Sequence, residues 1–148
     1  MNKKKVCGIL TEMSTEIDYI NYVVIGVGIN VNQKAFDEEL KEKATSLMIE
    51  TGAPVKRSAL IAAVMKHFEK NYALFMENGD LSGLQESYNE MLVNRGKEVR
   101  ILEPGNEYNA HAYGINETGE LIVRTQKGEE KHIFAGEVSV SIKEYQKV

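Results

Sequence analysis

The chain has no tryptophan, one cysteine and two prolines in 148 residues. A lone cysteine, Cys7, excludes a disulfide framework within the chain, and a reducing compartment is the simpler expectation. Long apolar runs are also missing. The longest, Val23 to Ile29, is far short of the roughly 20 residues that span a bilayer. The basic N-terminus leads into Gly8, Thr11 and Glu12 rather than the apolar core of a signal peptide, so a cytoplasmic location and no membrane partner are expected. The formal charge is −4 and no large basic block occurs; Lys3, Lys4 and Lys5 form a short cluster of the usual solvated kind. Nothing in this balance points to a nucleic-acid surface. No Ser-His-Asp or metal-ligand spacing is present, and His67, His111 and His132 are scattered, as surface residues are.

What is present is a length of 148 residues, enough for one ordinary domain or two small ones, with an apolar fraction of 43% that fits a globular protein. Val6 to Met13 alternates as a strand, with Gly8, Leu10 and Glu12 on one face and Cys7, Ile9, Thr11 and Met13 on the other. Tyr19 to Val31 holds a longer strand that is apolar on both faces, the pattern of a central strand covered on each side. The polar stretch Ser14 to Asp18 can join the two as a hairpin. Three amphipathic helical stripes follow: Phe36, Leu40, Ala44, Leu47 and Met48; then Ile61, Val64, Phe68, Tyr72 and Phe75; then Leu81, Leu84, Tyr88, Met91 and Leu92. Gly52 and Pro54 end the first, and Asn78-Gly79 the second. Met65, Phe68 and Tyr72 are expected in the core.

The pattern changes at Asn94-Arg95-Gly96. Beyond it, Val99 to Ile101, Tyr108 to Ile115, Leu121 to Thr125, Lys131 to Phe134 and Val138 to Ile142 alternate with turn signals at Glu103-Pro104-Gly105-Asn106 and Asn116 to Gly119. Short strands this closely spaced suit a small SH3-like barrel. The fold class is therefore α+β, with a boundary between residues 93 and 94.

The most informative stretch is Gly26-Val27-Gly28-Ile29-Asn30 inside an apolar strand. Glycine weakens a strand and is kept there for a bulge or for close approach of a ligand. Gly26, Gly28 and Asn30 share a face, so a flat ligand can lie on bare backbone while the amide reads an aromatic base. The alternative is a helix packed on the glycines, with Asn30 capping the next loop. Lys5, at the head of the first strand, can aim its ammonium at a phosphate or a developing oxyanion, or simply be solvated. Gly8 leaves a second gap. Glu12 fits an exposed strand end, and Cys7 a small core residue. No phosphate loop is present, because the later glycine and the helix start are missing.

These residues resemble two successive motifs of the biotin protein ligases: Lys5-Val6-Cys7-Gly8-Ile9-Leu10-Thr11-Glu12 and Val24-Ile25-Gly26-Val27-Gly28-Ile29-Asn30-Val31. Gly96-Lys97-Glu98-Val99, Ala112-Tyr113-Gly114-Ile115, Gly119-Glu120-Leu121 and Ala135-Gly136-Glu137-Val138-Ser139 are similar to the family's small C-terminal domain. The resemblance implies a portion of a class II aminoacyl-tRNA-synthetase-like catalytic sheet over 1–93 and an SH3-like domain over 94–148. It implies ATP- and magnesium-dependent formation of biotinyl-5′-AMP, then transfer of biotin to a lysine of a biotin carboxyl carrier domain. By position, Lys5 matches the lysine that contacts the biotin carboxyl and the adenylate phosphate. Gly8 and Leu10 match the biotin pocket, and Gly26, Gly28 and Ile29 its wall. Asn30 matches the residue that reads adenine. Arg100 lies near a basic position that approaches the nucleotide, and near Ser141 this chain lacks an arginine that some relatives carry. The family's glycine- and arginine-rich loop, its tryptophan-containing motif and the helix-turn-helix domain of its regulatory members do not occur in this sequence. Little or no ligase activity from the chain alone is the resulting expectation. The competing expectation is a non-catalytic module that binds a carrier domain or another protomer through an exposed sheet edge.

Overall fold

The computed structural model describes residues 2, 4–16, 19–103, 106–134 and 139–142. The turn expected at 103–106 and the motif at 135–139 therefore fall wholly or partly outside the described residues. The chain divides into two compact units, 1–65 and 66–148. It is α+β, with two separate antiparallel sheets.

In the first unit, β1 (Cys7–Thr15) and β2 (Ile20–Ile29) form an antiparallel hairpin in which Gly8 faces Gly28 and Leu10 faces Gly26. Both strands fall where alternation placed them. Their surroundings differ from expectation: Val23, Val24, Ile25 and Val27 are all 49–50% exposed, so β2 is not covered on both faces. Its doubly apolar pattern records a need for cover that the described residues leave unmet.

The first helix is far shorter than its stripe suggests. Only α1 (Leu47–Thr51) is helical, and Asp37 to Lys43 forms turns. The cause lies in the pairing of Lys5. Its N–H donates to Lys43 O at 2.8 Å and its carbonyl accepts from Thr45 N at 2.9 Å, a parallel bridge that draws Ala44 out of helical geometry. Ser46 then restarts the helix as its N-cap, accepting from Ile49 N at 3.1 Å. Gly52, at φ 74°, closes it in the left-handed conformation that glycine adopts without a Cβ penalty.

α2 (Arg57–Asn78) follows its predicted stripe, but no residue of it is buried. Met65, Phe68 and Tyr72 are not core residues here; Tyr72 stacks on Phe68 at 5.7 Å and tilts toward Phe75 at 6.3 Å.

In the second unit, α3 (Ser82–Met91) precedes β3 (Glu98–Glu103), β4 (Asn106–Ile115), β5 (Leu121–Thr125), β6 (Glu130–Ile133) and β7 (Ser139–Ile142). The strands make one antiparallel sheet in the order β6-β5-β4-β3-β7. Val99, Ile101, Ala110, Ala112, Val123 and Ile133 form its buried core. At Ala112/Gly114 the register of β4 slips, and the chain bends at a bulge. Gly114 has φ 145°, and a Cβ there would lie 2.6 Å from Asn89 Oδ1. That close approach lets the Asn89 carboxamide accept from Ile115 N at 2.7 Å and donate to Ile115 O at 3.2 Å. Gln85 Nε2 donates to the same carbonyl at 2.7 Å. These bonds fasten α3 to the end of β4.

Candidate functional site

The site is built on one face of the hairpin. Directly opposed residues of an antiparallel pair project to the same side, so Gly8, Gly28, Gly26 and Leu10 together make a floor that is bare except for one leucine. A Cβ on Gly26 would come no closer than 3.7 Å to Leu10 O, and one on Gly28 no closer than 3.8 Å to Gly8 O. These are ordinary contacts. The hairpin itself does not require glycine at these positions, and what their absence of side chain provides is open backbone.

Lys5 lies over this floor. Its Cε and Nζ stand 3.5 and 3.6 Å from the point a Gly8 Cβ would occupy. Its backbone is clamped to the 43–45 segment, so the stem starts from a fixed base. An ammonium laid along bare backbone can meet a carboxylate or a phosphate placed on the glycines.

Asn30 follows β2 directly. Its N–H donates to Val6 O at 2.8 Å, and its carbonyl accepts from Leu47 N at 2.9 Å. Its side-chain Nδ2 donates to Thr45 O at 3.1 Å. The amide is thus tethered to the next loop, as the capping alternative expects; its Oδ1 also accepts a long bond from Gln33 Nε2 at 3.5 Å, which leaves a second N–H and one oxygen lone pair for another group. Ile29 is half-buried on the opposite face, paired with Cys7. Cys7 is itself only half-buried rather than a core residue. Glu12 is exposed, as expected.

Arg100 belongs to the other unit, where its guanidinium pairs with Glu107 across the β3–β4 ladder. The structure thus groups Lys5, Gly8, Leu10, Gly26, Gly28 and Asn30 within the first unit, and Arg100 in the second.

Two polar groupings escaped the sequence reading. Thr45 and Ser46, 1% and 0% exposed, are the buried polar pair beside Lys5 and Asn30. A Thr-Ser pair just ahead of an apolar Leu-Met step is an N-cap signal. The apolar stripe Phe36, Leu40, Ala44, Leu47 and Met48 runs straight through the pair and hides that signal. His132 stands apart from its partners in the sequence, yet its Nδ1 sits 3.4 Å from Glu120 and its Nε2 3.6 Å from Glu130. The Glu120 carboxyl is held below the ordinary carboxylate range, first by the Asn116 amide and then, against the opposing pull of burial, by Thr118 and His132. Among the described residues no three His, Cys, Asp or Glu side chains gather as a metal site. No described helix is long and apolar enough to cross a membrane.

Comparison with known proteins gives these features a class. Residues 96–141 match the biotin protein ligase C terminal domain. The chain is 37% identical over 144 residues to the bifunctional ligase/repressor BirA of Bacillus spizizenii and 36% identical to that of Bacillus subtilis, in each case over 95% of this chain and 43% of the relative. Among solved structures, the apo biotin protein ligase of Aquifex aeolicus superposes with a TM-score of 0.83 at 30% identity, over 96% of this chain and 61% of that one. The same enzyme in complex with biotin and ATP gives 0.78 at 29% identity, over 95% and 57%. The resemblance carried by the motifs therefore holds, and it is to the C-terminal portion of the biotin protein ligases. The chain spans less than half the length of the curated relatives it matches.

Proposed function

We propose that this chain supplies one wall of the acyl-adenylate site of a biotin protein ligase. In that reading the enzyme forms biotinyl-5′-AMP from biotin and ATP, with magnesium arriving on the ATP phosphates, and passes biotin to a lysine of a biotin carboxyl carrier domain. Residues 1–93 belong to a synthetase-like catalytic domain and 94–148 to an SH3-like domain. The relatives are ligases, and one solved neighbour holds biotin and ATP.

The observation that carries this reading is the Lys5 ammonium lying over the gap left by Gly8, with Gly28 opposite. Biotin is apolar apart from its ureido ring and its carboxylate, and a bare floor with one placed cation suits such a shape. When the carboxylate attacks the α-phosphorus, charge builds on the phosphate oxygens as pyrophosphate leaves. A pre-positioned ammonium stabilises that charge without reorganising. Gly8, Leu10, Gly26 and Gly28 form the biotin wall, and Ile29, projecting from the other face beside Cys7, backs it. Asn30 reads adenine through the amide capacity left over from its tether. Arg100, engaged by Glu107 in the second unit, is a nucleotide-binding candidate on the strength of the resemblance alone.

The test is a thermal melt of the chain with and without biotinyl-5′-AMP. A ligand that binds only the folded state adds about 2.7 kcal/mol at a hundred times its Kd. A clear upward shift that disappears in Lys5→Ala supports the reading. An unmoved melting temperature in the unaltered chain rejects it.

A separate observation favours a second reading. Among the described strands β1 and β2 pair only with each other, and most of their apolar side chains are about half exposed or more. Free edges and uncovered apolar faces recruit partners. The chain would then act as a non-catalytic module for a carrier domain or a second protomer. Sizing chromatography showing a dimer, together with indifference to biotinyl-5′-AMP, would select it.

A further inference from the structure

We infer that Thr45 is a positioning residue for the adenylate site: it sets Lys5 and Asn30 at a fixed separation. The inference rests on the site reading above and adds a residue to it. Thr45 is 1% exposed, and each of its polar groups is engaged. Its N–H donates to Lys5 O at 2.9 Å. Its carbonyl accepts from Asn30 Nδ2 at 3.1 Å. Its hydroxyl donates to Glu50 Oε1 at 2.5 Å. One residue thereby holds the backbone beneath the ammonium, the amide proposed to read the base, and the helix that follows.

The neighbours keep Thr45 in place. Ser46, fully buried, donates through Oγ to Gln33 O at 2.6 Å while capping α1. The first N–H groups of α1 donate back to Asn30 O and Val31 O, both at 2.9 Å. Asn2 Nδ2 donates to the second oxygen of Glu50. Valine would leave the half-buried Glu50 carboxylate one donor short and put a methyl against it inside a fully shielded site, so removing the Thr45 hydroxyl makes the segment rearrange rather than stay still. The carbonyl that holds Asn30 moves with it.

The chemistry predicts a split between ligands. Biotin needs the glycine floor and the ammonium. Biotinyl-5′-AMP needs these and the correctly held amide. Thr45→Val keeps the shape and loses the hydroxyl; Thr45→Ser keeps the hydroxyl. Calorimetric titration of the full chain with biotin and with biotinyl-5′-AMP is expected to show Thr45→Val losing affinity for the adenylate by about tenfold, the effect of one misaligned hydrogen bond. Its affinity for biotin should fall much less, and Thr45→Ser should resemble the unaltered chain. Equal losses for both ligands, in step with a lowered melting temperature, would mean a purely structural role and overturn the inference. The side-chain amide resonances of Asn30 give a reading that needs no ligand. They are expected to move in Thr45→Val and to return in Thr45→Ser, and unmoved resonances also overturn the inference. If the unaltered chain binds no adenylate, the site reading fails by itself, and the Asn30 signals alone decide whether Thr45 holds the amide.

Discussion

The hairpin and the five-stranded sheet are both antiparallel, and both contain glycines, but they use them in opposite ways. In the sheet, Gly114 is demanded by the fold: its φ of 145° and the Asn89 carboxamide leave no room for a side chain. In the hairpin, Gly8, Gly26 and Gly28 have ordinary φ values and space for a Cβ. Burial divides the two regions in the same way. Val99, Ile101, Ala112 and Val123 are fully shielded, whereas the apolar residues of the hairpin stand about half exposed. A glycine that the fold does not require, on an element whose apolar side chains stay largely exposed among the described residues, is better explained by something that comes to lie on it.

The sharpest way to break this contrast is to add a Cβ on each side. Gly114→Ala places a side chain at a positive φ and forces the Asn89 clasp open. The strain and the lost hydrogen bonds together should cost about 3 kcal/mol or more. Urea unfolding and faster hydrogen exchange at Ile115 would show it. An unchanged midpoint would mean that Asn89 yields easily and that the clasp is not structural.

Core truncation comes next. Ile101→Ala should cost about 2–5 kcal/mol through lost burial and a residual cavity. Ile25→Ala, at a half-exposed position on the hairpin, should cost about 1 kcal/mol or less. Equal losses, measured by chemical denaturation, would show that the hairpin face is covered in solution. A concentration-dependent midpoint would then identify a second copy as the cover.

Gly8→Ala tests function rather than fold. The new methyl would meet the far end of the Lys5 side chain, at 3.5 Å. Stability should be unchanged or raised by up to about 0.5–1 kcal/mol, since alanine loses less conformational freedom than glycine in a strand. Binding of biotinyl-5′-AMP should nevertheless weaken by at least about tenfold, because the methyl occupies the floor. Tight binding by this variant would remove the floor from the site.

These contrasts mark what the amino-acid order could convey. Strand and helix positions were legible because side-chain periods of 2 and 3.6 are written directly in the apolar residues. The glycine pair of β2 was legible because glycine inside an apolar strand is unusual. The short span of α1 was not, because its limit comes from Lys5 pairing with residues some forty positions away. Thr45 was hidden for the same reason. Lys5 could be named as a candidate but not placed: counted by strand parity it falls opposite Gly8, and only its flexible stem brings the ammonium back over that glycine. The half-exposed β2 and α2 show that a periodic pattern records which face needs cover, not what covers it. His132 illustrates a last limit, since only the β5–β6 register, with His132 opposite Ile122, sets it near Glu120.

The smallest effect expected is in that same cluster, and it sharpens the comparison by showing a polar device on the well-packed side. Asn116 Oδ1 accepts from the N–H groups of Thr118 and Glu120 at 3.1 and 2.9 Å, while its Nδ2 donates to Glu120 Oε2 at 2.5 Å. Thr118 Oγ1 adds a bond to the same carboxylate oxygen at 3.0 Å. The ionised form is favoured, so the carboxyl of the folded chain lies below its ordinary value of 4.5. A depressed carboxyl contributes stability that is complete above the unfolded value and is lost as pH falls through the folded one. Denaturation midpoints of the unaltered chain and of Glu120→Gln should therefore differ at neutral pH and converge under acid, on the low side of pH 4.5. The site is solvent-accessible, so the gap should be modest and should shrink with added salt to the extent that His132 contributes to it. A gap of constant size down to strong acid would show that the turn is held by the Asn116 backbone bonds alone, with the carboxylate as a bystander.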